Sequence, residues 1–194
     1  MTNEIFGRDA DKIVRAFLDS VHLGQNKYQV GCDYVEACVI LGYIVAANNP
    51  TYFVEAGCGL GILSLTLSKM GLQGEAYDIE PSLIQEGKAL AATLGINLNY
   101  NLQDFNEWNS SLPSGSFMIV DKPRGGLELV VLSKAISTKC NLALVPPYNL
   151  GETSGEILAT CESYMRALMS QGYHAESVAL SETLPLRVVL GTTF

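Results

Sequence analysis

The chain has 194 residues, 48% of them apolar, with 20 Asp and Glu against 12 Lys and Arg. That apolar fraction excludes a disordered chain, and the length suits one sizeable domain rather than two. The net charge of −8, with no cluster of basic residues, disfavours a general nucleic-acid binder, which needs a basic face against phosphate, although a small local patch stays open.

Residues 8–22, RDADKIVRAFLDSVH, place apolar side chains at 13, 14, 17, 18 and 21, a helical spacing with charge on the other face. A more buried helix is predicted over 33–47, stopped by Asn48, Asn49 and Pro50. Its apolar run, Ala37 to Ala47, follows Glu36 and is too short to span a bilayer. The start, MTNEIFGRDADK, is polar and acidic, unlike a signal peptide. The five cysteines, Cys32, Cys38, Cys58, Cys140 and Cys161, form no CxxC pair, and His22 and His174 are the only histidines. No zinc site arises from such spacings. Reduced, mostly buried thiols suit the cytoplasm, and no membrane partner is expected.

From residue 51 the pattern alternates. TYFVEA (51–56) is a strand, followed by glycines and the helix ILSLTLSKMG (62–71). GEAYDIE (74–80) is a second strand, and Pro81 opens a helix that runs to Gly95. INLNYNLQDF (96–105) reads as a third strand and SFMIVD (116–121) as a fourth. A helix follows over 126–138, a fifth strand over 141–146 and a last helix over 154–172. Two strands, 175–182 and 187–194, close the chain around Leu184, Pro185 and Leu186. Alternation implies parallel strands with helices on both faces, and ligands in such sheets bind beyond the carboxyl ends of the strands. The chain reads as a single domain, 1–194, with a helical cap over 1–50 and an α/β core over 51–194.

The stretch VEAGCGLG (54–61) sits between the first strand and its helix. Glycine there permits positive φ and close approach of backbone to a ligand, and the helix start offers free N–H groups. The dinucleotide fingerprint GxGxxG fails, because Ile62 stands where its last glycine belongs. Glu55-Ala56-Gly57-Cys58-Gly59-Leu60-Gly61 instead resembles motif I of the class I S-adenosylmethionine (SAM)-dependent methyltransferases. The resemblance implies a Rossmann-like three-layer sandwich: a mostly parallel seven-stranded sheet whose last strand is antiparallel. It implies SAM as cofactor, S-adenosylhomocysteine (SAH) as product, and methyl transfer to an acceptor that the sequence leaves open: RNA, protein or a small molecule.

The same resemblance assigns residues. Glu55 acts, often through water, on the methionine part of the cofactor while Gly57, Gly59 and Gly61 pass beside it. Cys58 contributes backbone as a small filler. Asp78, with Ile79 after it, receives the ribose hydroxyls; the alternative is a solvated acid at a strand end. Asp104, with Phe105 against the ring, receives the adenine amino group; the alternative is a cap on the turn before Asn106. KYQVG (27–31) either folds over the cofactor, with Tyr28 or Gln29 at its carboxylate end, or is an ordinary loop. VDKPRGG (120–126) stands at motif IV, beside the transferable methyl. Asp121 belongs to both the cofactor set and the transfer set, as base or orienter. Lys122 and Arg124 hold an anionic group or form a surface salt bridge, and Tyr148 walls the pocket.

Two partial resemblances depart from pattern. Pro146-Pro147-Tyr148 resembles the amine-binding motif of amino-group methyltransferases, but Val145 replaces its polar residue and it follows the fifth strand. DKPRGG resembles the strand-four motif of RNA uridine-C5 methyltransferases, but Lys122 replaces a proline and NLALVPPYN lacks the nucleophilic cysteine. Two rival readings remain, an NAD-dependent oxidoreductase and a non-catalytic partner subunit. Oligomeric state, including a homo-oligomer, stays open.

Overall fold

The computed structural model describes residues 32–123, 125–147, 152–181 and 186–193. The helix predicted over 8–22 and the KYQVG segment lie outside them.

Seven strands form one sheet: β1 Phe53–Ala56, β2 Gly74–Asp78, β3 Asn99–Leu102, β4 Phe117–Asp121, β5 Asn141–Val145, β6 His174–Ala179 and β7 Arg187–Thr192. Their order is β3-β2-β1-β4-β5-β7-β6. The first five run parallel, and β7 is antiparallel to both β5 and β6. The strand order reverses at β1, which pairs with β2 on one side and β4 on the other. A crevice at the carboxyl ends of these strands is where such a sheet places its ligand.

Central strands are apolar on both faces because helices cover both. All residues of β1 and β4 are buried. Phe53, Phe117 and Ile119 point to the face covered by α1 (Cys32–Ala47), α2 (Ile62–Lys69) and α3 (Pro81–Leu94). Val54, Met118 and Val120 point to the opposite face, under α4 (Leu127–Thr138) and α5 (Ser154–Ser170). Alternation of neighbouring side chains across the strand thus builds two cores.

The helix ends follow from local chemistry. α3 has Pro81 in its first turn behind the Glu80 cap and stops at Gly95 in the left-handed region, as the sequence predicts. α5 opens on a capping box between Thr153 and Glu156. The third strand is shorter than predicted. It ends at Leu102, so Gln103, Asp104 and Phe105 lie beyond it, and Phe105–Glu107 is a 3₁₀ turn. The cause is Asp104, whose carboxylate accepts from the Asn106 backbone N–H and turns the chain out of the ladder. That turn stands where the alternation elsewhere supplies a full crossover helix.

Candidate functional site

The glycine loop is fixed by β2. Cys58 N–H donates to Tyr77 O (2.9 Å), and Gly61 N–H closes the turn on Cys58 O (2.8 Å). Gly57, Gly59 and Gly61 have φ of 67°, 56° and 74°, in the left-handed region that favours glycine. Gly59 N–H donates to Asp78 Oδ2 (2.8 Å), and Glu80 N–H donates to Asp78 Oδ1 (2.9 Å). Asp78 is therefore not a freely solvated acid. Two backbone donors hold it at the end of β2, facing the loop.

Two of the glycines serve different ends. A Cβ on Gly61 would lie 2.5 Å from Tyr100 Oη and within 3 Å of two ring carbons. The ring cannot retreat cheaply, since it is buried, its hydroxyl donates to Leu60 O (2.8 Å), and it already lies against Gly87. A Cβ on Gly59 would meet nothing within 4 Å. Gly61→Ala is expected to cost about 3 kcal/mol, backbone strain plus overpacking, and Gly59→Ala about 1–2 kcal/mol, strain alone. Urea unfolding midpoints of the two variants check the order.

Beside the loop lies a cleft of about 210 Å³, lined by Gly57, Asp78, Ile79, Asp104, Phe105 and Leu127 among others. It combines two carboxylates with apolar side chains, of which Ile79 is 69% exposed. Phe105 is buried, set edge-on to Tyr77 (5.7 Å) and stacked on Trp108 (5.2 Å, 14° between planes). Asp104 is the cap on the turn before Asn106: its Oδ1 accepts from Asn106 N–H and from the Asn106 side chain, both at 2.8 Å. These bonds hold its carboxyl below the usual range. Cys58 is buried, and burial followed by the Glu55 and Asp78 charges pushes its thiol up.

Deeper in, charged groups gather between the sheet and α1. Glu55 is buried, and its Oε2 accepts from Ser64 N–H (3.0 Å) and from the Ser64 hydroxyl at the start of α2. Burial pushes its carboxyl up to about 8; the Ser64 bonds oppose this and the Asp121 charge adds to it. Asp121, at the end of β4, takes the Lys122 ammonium on Oδ1 and the Cys38 thiol of α1 on Oδ2 (3.4 Å). Burial pulls the Lys122 ammonium down, but Asp121, Cys38 and Glu55 outweigh it and the net shift is upward.

Lys122 thus forms a part-buried ion pair with its own neighbour rather than a surface salt bridge, with side-chain exposures of 17% and 4%. Each Asp121 oxygen thus has one partner, and the two contacts fix the orientation of the carboxylate. Lys122 N–H also donates to Val145 O (3.1 Å), tying the strand-four loop to β5. Arg124 and Tyr148 lie outside the described residues.

Glu128, in the first turn of α4, is buried, and among the described residues its Oε2 has no hydrogen-bond partner. The signal in the sequence is an acid two residues after Gly126, at a helix start. A buried, unpaired carboxylate oxygen is costly. Glu128→Leu is expected to stabilise the ligand-free chain by about 1–3 kcal/mol, measured as the urea midpoint. A lower midpoint would show that the carboxylate is held by contacts that outweigh its burial.

Across its full length (100%) the chain aligns with 94% of magnesium protoporphyrin IX methyltransferase from Synechocystis PCC 6803, solved with bound SAM, at a TM-score of 0.67 and 15% identity. The fold is that of the class I methyltransferases. A second structure of this methyltransferase fold, Pyrococcus abyssi tRNA (uracil-54, C5)-methyltransferase in complex with SAH, aligns with 80% of the chain and 37% of its own length, at a TM-score of 0.57 and 17% identity.

Among curated proteins, an uncharacterized RNA methyltransferase of Parasynechococcus marenigrum (strain WH8102) is 26% identical over 155 residues, 78% of this chain. An uncharacterized RNA methyltransferase of Lactococcus lactis subsp. lactis (strain IL1403) is 29% identical over 132 residues, 60% of this chain. The matches span only 32% and 25% of the lengths of those two relatives. No family model matches the chain. Among the described residues, no helix is long and apolar enough to cross a membrane.

Proposed function

We propose that this chain is a SAM-dependent methyltransferase domain, with the cofactor in the cleft beside β1, β2 and β3 and transfer at the loops after β4 and β5. The observation that carries the reading is the bond from Gly59 N–H to Asp78 Oδ2. It couples a loop of three left-handed glycines to an acid aimed into a cleft at the point where strand order reverses.

The residues present fit the group. Asp78 suits a pair of vicinal hydroxyls, because a carboxylate accepts from both. Ile79 and Phe105 offer apolar surface to a flat ring, and Asp104 keeps Oδ2 for an amino group while Oδ1 caps the turn. Glu55 anchors the start of α2 through Ser64 and acts on the cofactor indirectly. When bound, SAM supplies a methyl group on a positively charged sulfur, ready for in-line displacement. Asp121, held by Lys122 and Cys38, orients the transfer end, and Arg124 and Tyr148 complete it. The NAD reading is disfavoured, since buried Ile62 occupies the position of the last dinucleotide glycine.

In this reading residues 1–50 form a helical cap on a single domain, and the protein works in the cytoplasm with its thiols reduced. Among the described residues Cys38, Cys58, Cys140 and Cys161 are buried and none is in a disulfide, which supports that assignment. RNA is the first acceptor class to test, because two relatives carry that name. With a net charge of −8, this chain has no general surplus of phosphate-neutralising groups, so the RNA contact is expected to be local. The test is transfer of labelled methyl from SAM to total cellular RNA and, separately, to the protein-free small-molecule fraction. Label that ribonuclease releases supports an RNA acceptor. Label confined to small molecules replaces it, and label in neither fraction moves the non-catalytic reading forward.

A further inference from the structure

We infer that Lys134, on α4, is a positioning residue that clamps the 3₁₀ turn and so holds Phe105 as one wall of the cleft. The inference rests on the cofactor reading proposed above.

The segment between β3 and β4 has only a three-residue 3₁₀ helix, too short to bury a stripe of its own as a crossover helix does. Even so, it places two large rings in the core, Phe105 and Trp108, stacked on each other. Its final carbonyls have no partner within so short a helix, and a cation at a helix C-terminus meets such groups favourably. Lys134 supplies that cation. Its Nζ donates to Trp108 O (2.5 Å) and to Asn106 O (3.2 Å), two carbonyls at the end of the turn. The same ammonium lies 6.0 Å from the Phe105 ring centroid and 5.9 Å from that of Trp108, within range of a cation–π attraction to both.

One side chain therefore fixes the backbone and both rings of a segment that Asp104 alone caps at its other end. Val130, one turn before Lys134 on α4, lines the cleft together with Asp104, Phe105 and Asn106. Helix and turn form the cleft wall as a unit, and Lys134 is the polar tie between them. Lys134 is not itself among the cleft-lining residues, so it acts through Phe105. Removing the tie lets the turn sample other arrangements in the free protein. The ligand must then restore order, which lowers affinity without removing a ligand contact.

The sequence supplies its own reporter, because Trp108 is the sole tryptophan of the chain. The experiment compares the full chain with Lys134→Met, which keeps the apolar stem, and Lys134→Arg, which keeps charge and reach. Trp108 emission and its quenching by acrylamide are read without ligand. Affinity is then measured for SAH and for 5′-methylthioadenosine, which lacks the amino-acid end.

The clamp predicts red-shifted, more quenchable emission in Lys134→Met. It also predicts affinity for both probes reduced by the same factor, on the order of 10-fold, and recovery of both readouts in Lys134→Arg. Wild-type emission and wild-type affinity in Lys134→Met overturn it. So does weaker binding with unchanged emission, since the effect would then bypass the turn. If the wild-type chain binds neither probe, the cofactor reading fails and takes the clamp's ligand role with it.

Discussion

Replacing Asp78 by alanine is expected to weaken SAH binding on the order of 100-fold, with a much smaller effect on folding. The carboxylate stands at the end of β2 with its two oxygens turned to Gly59 N–H and Glu80 N–H. Each oxygen still has a lone pair for a ligand hydroxyl. Two hydrogen bonds to a charged acceptor, at about 1.5 kcal/mol each, give about 3 kcal/mol, hence two decades in affinity. The half-exposed backbone donors left behind are rehydrated, so the cost to stability is about 1 kcal/mol. Asp78→Asn keeps one acceptor oxygen and is expected to lie between wild type and alanine. Calorimetric titration of the three proteins with SAH, beside their urea midpoints, separates the two effects. Equal affinity in Asp78→Ala would remove Asp78 from the site.

The second large effect is on stability as a function of pH, and it originates in Glu55. Among the described residues, Ser64 on α2, the Asp121–Lys122 pair at the end of β4, Cys58 and Tyr100 interact with it. Burial outweighs the Ser64 bonds and lifts the carboxyl from 4.5 to about 8. Below pH 4.5 the group is protonated both folded and unfolded, and it adds no pH dependence. Between that value and about 8 the unfolded chain ionises while the folded chain keeps its proton. Folded stability therefore falls as pH rises, by about 1.4 kcal/mol per unit in mid-window, and levels off above.

This is the reverse of a salt-bridged carboxylate, whose contribution is lost toward acid. Glu55→Gln keeps an oxygen for Ser64 and cannot ionise, so the slope assigned to Glu55 disappears. The comparison is the difference in unfolding free energy between wild type and Glu55→Gln at pH 5, 6, 7 and 8. A difference that drifts against wild type as pH rises supports the account. A constant difference means that Glu55 is ionised throughout.

Much of the cofactor side of the site was legible in the sequence because its chemistry restricts residue type. Only glycine readily takes three left-handed φ values in five residues, and a strand before and a helix behind tell where the turn lies. Asp78 was legible as an acid at the end of the second strand. The bond that makes the pair a unit was not, since it joins Gly59 and Asp78 across 19 positions. Asp104 suits both a cap and a ligand contact, and residue type alone cannot separate them. The structure shows the cap, and with it the early end of β3 that the β-prone run 96–105 concealed.

The transfer end was less legible. Asp121 and Lys122 read as a base and an anion holder because they are adjacent and of opposite charge. Their pairing depends on Lys122 adopting φ of 47°, a conformation its side chain does not advertise. Cys38 reaches Asp121 from 83 positions away, and irregular cysteine spacing gives no hint of it. Lys134 looked like any polar residue on a helix, since the two carbonyls that define its role belong to a turn the sequence did not reveal.

The central claim is that the glycine loop and Asp78 hold a SAM-type nucleoside rather than a dinucleotide. The most direct test is calorimetric titration of the purified full chain with SAM, SAH and NAD in parallel. Saturable micromolar binding of both sulfur compounds, with none of NAD, is the predicted result. Binding of NAD alone would contradict it, and binding of none would mean that this cleft does not hold the cofactor that its geometry fits.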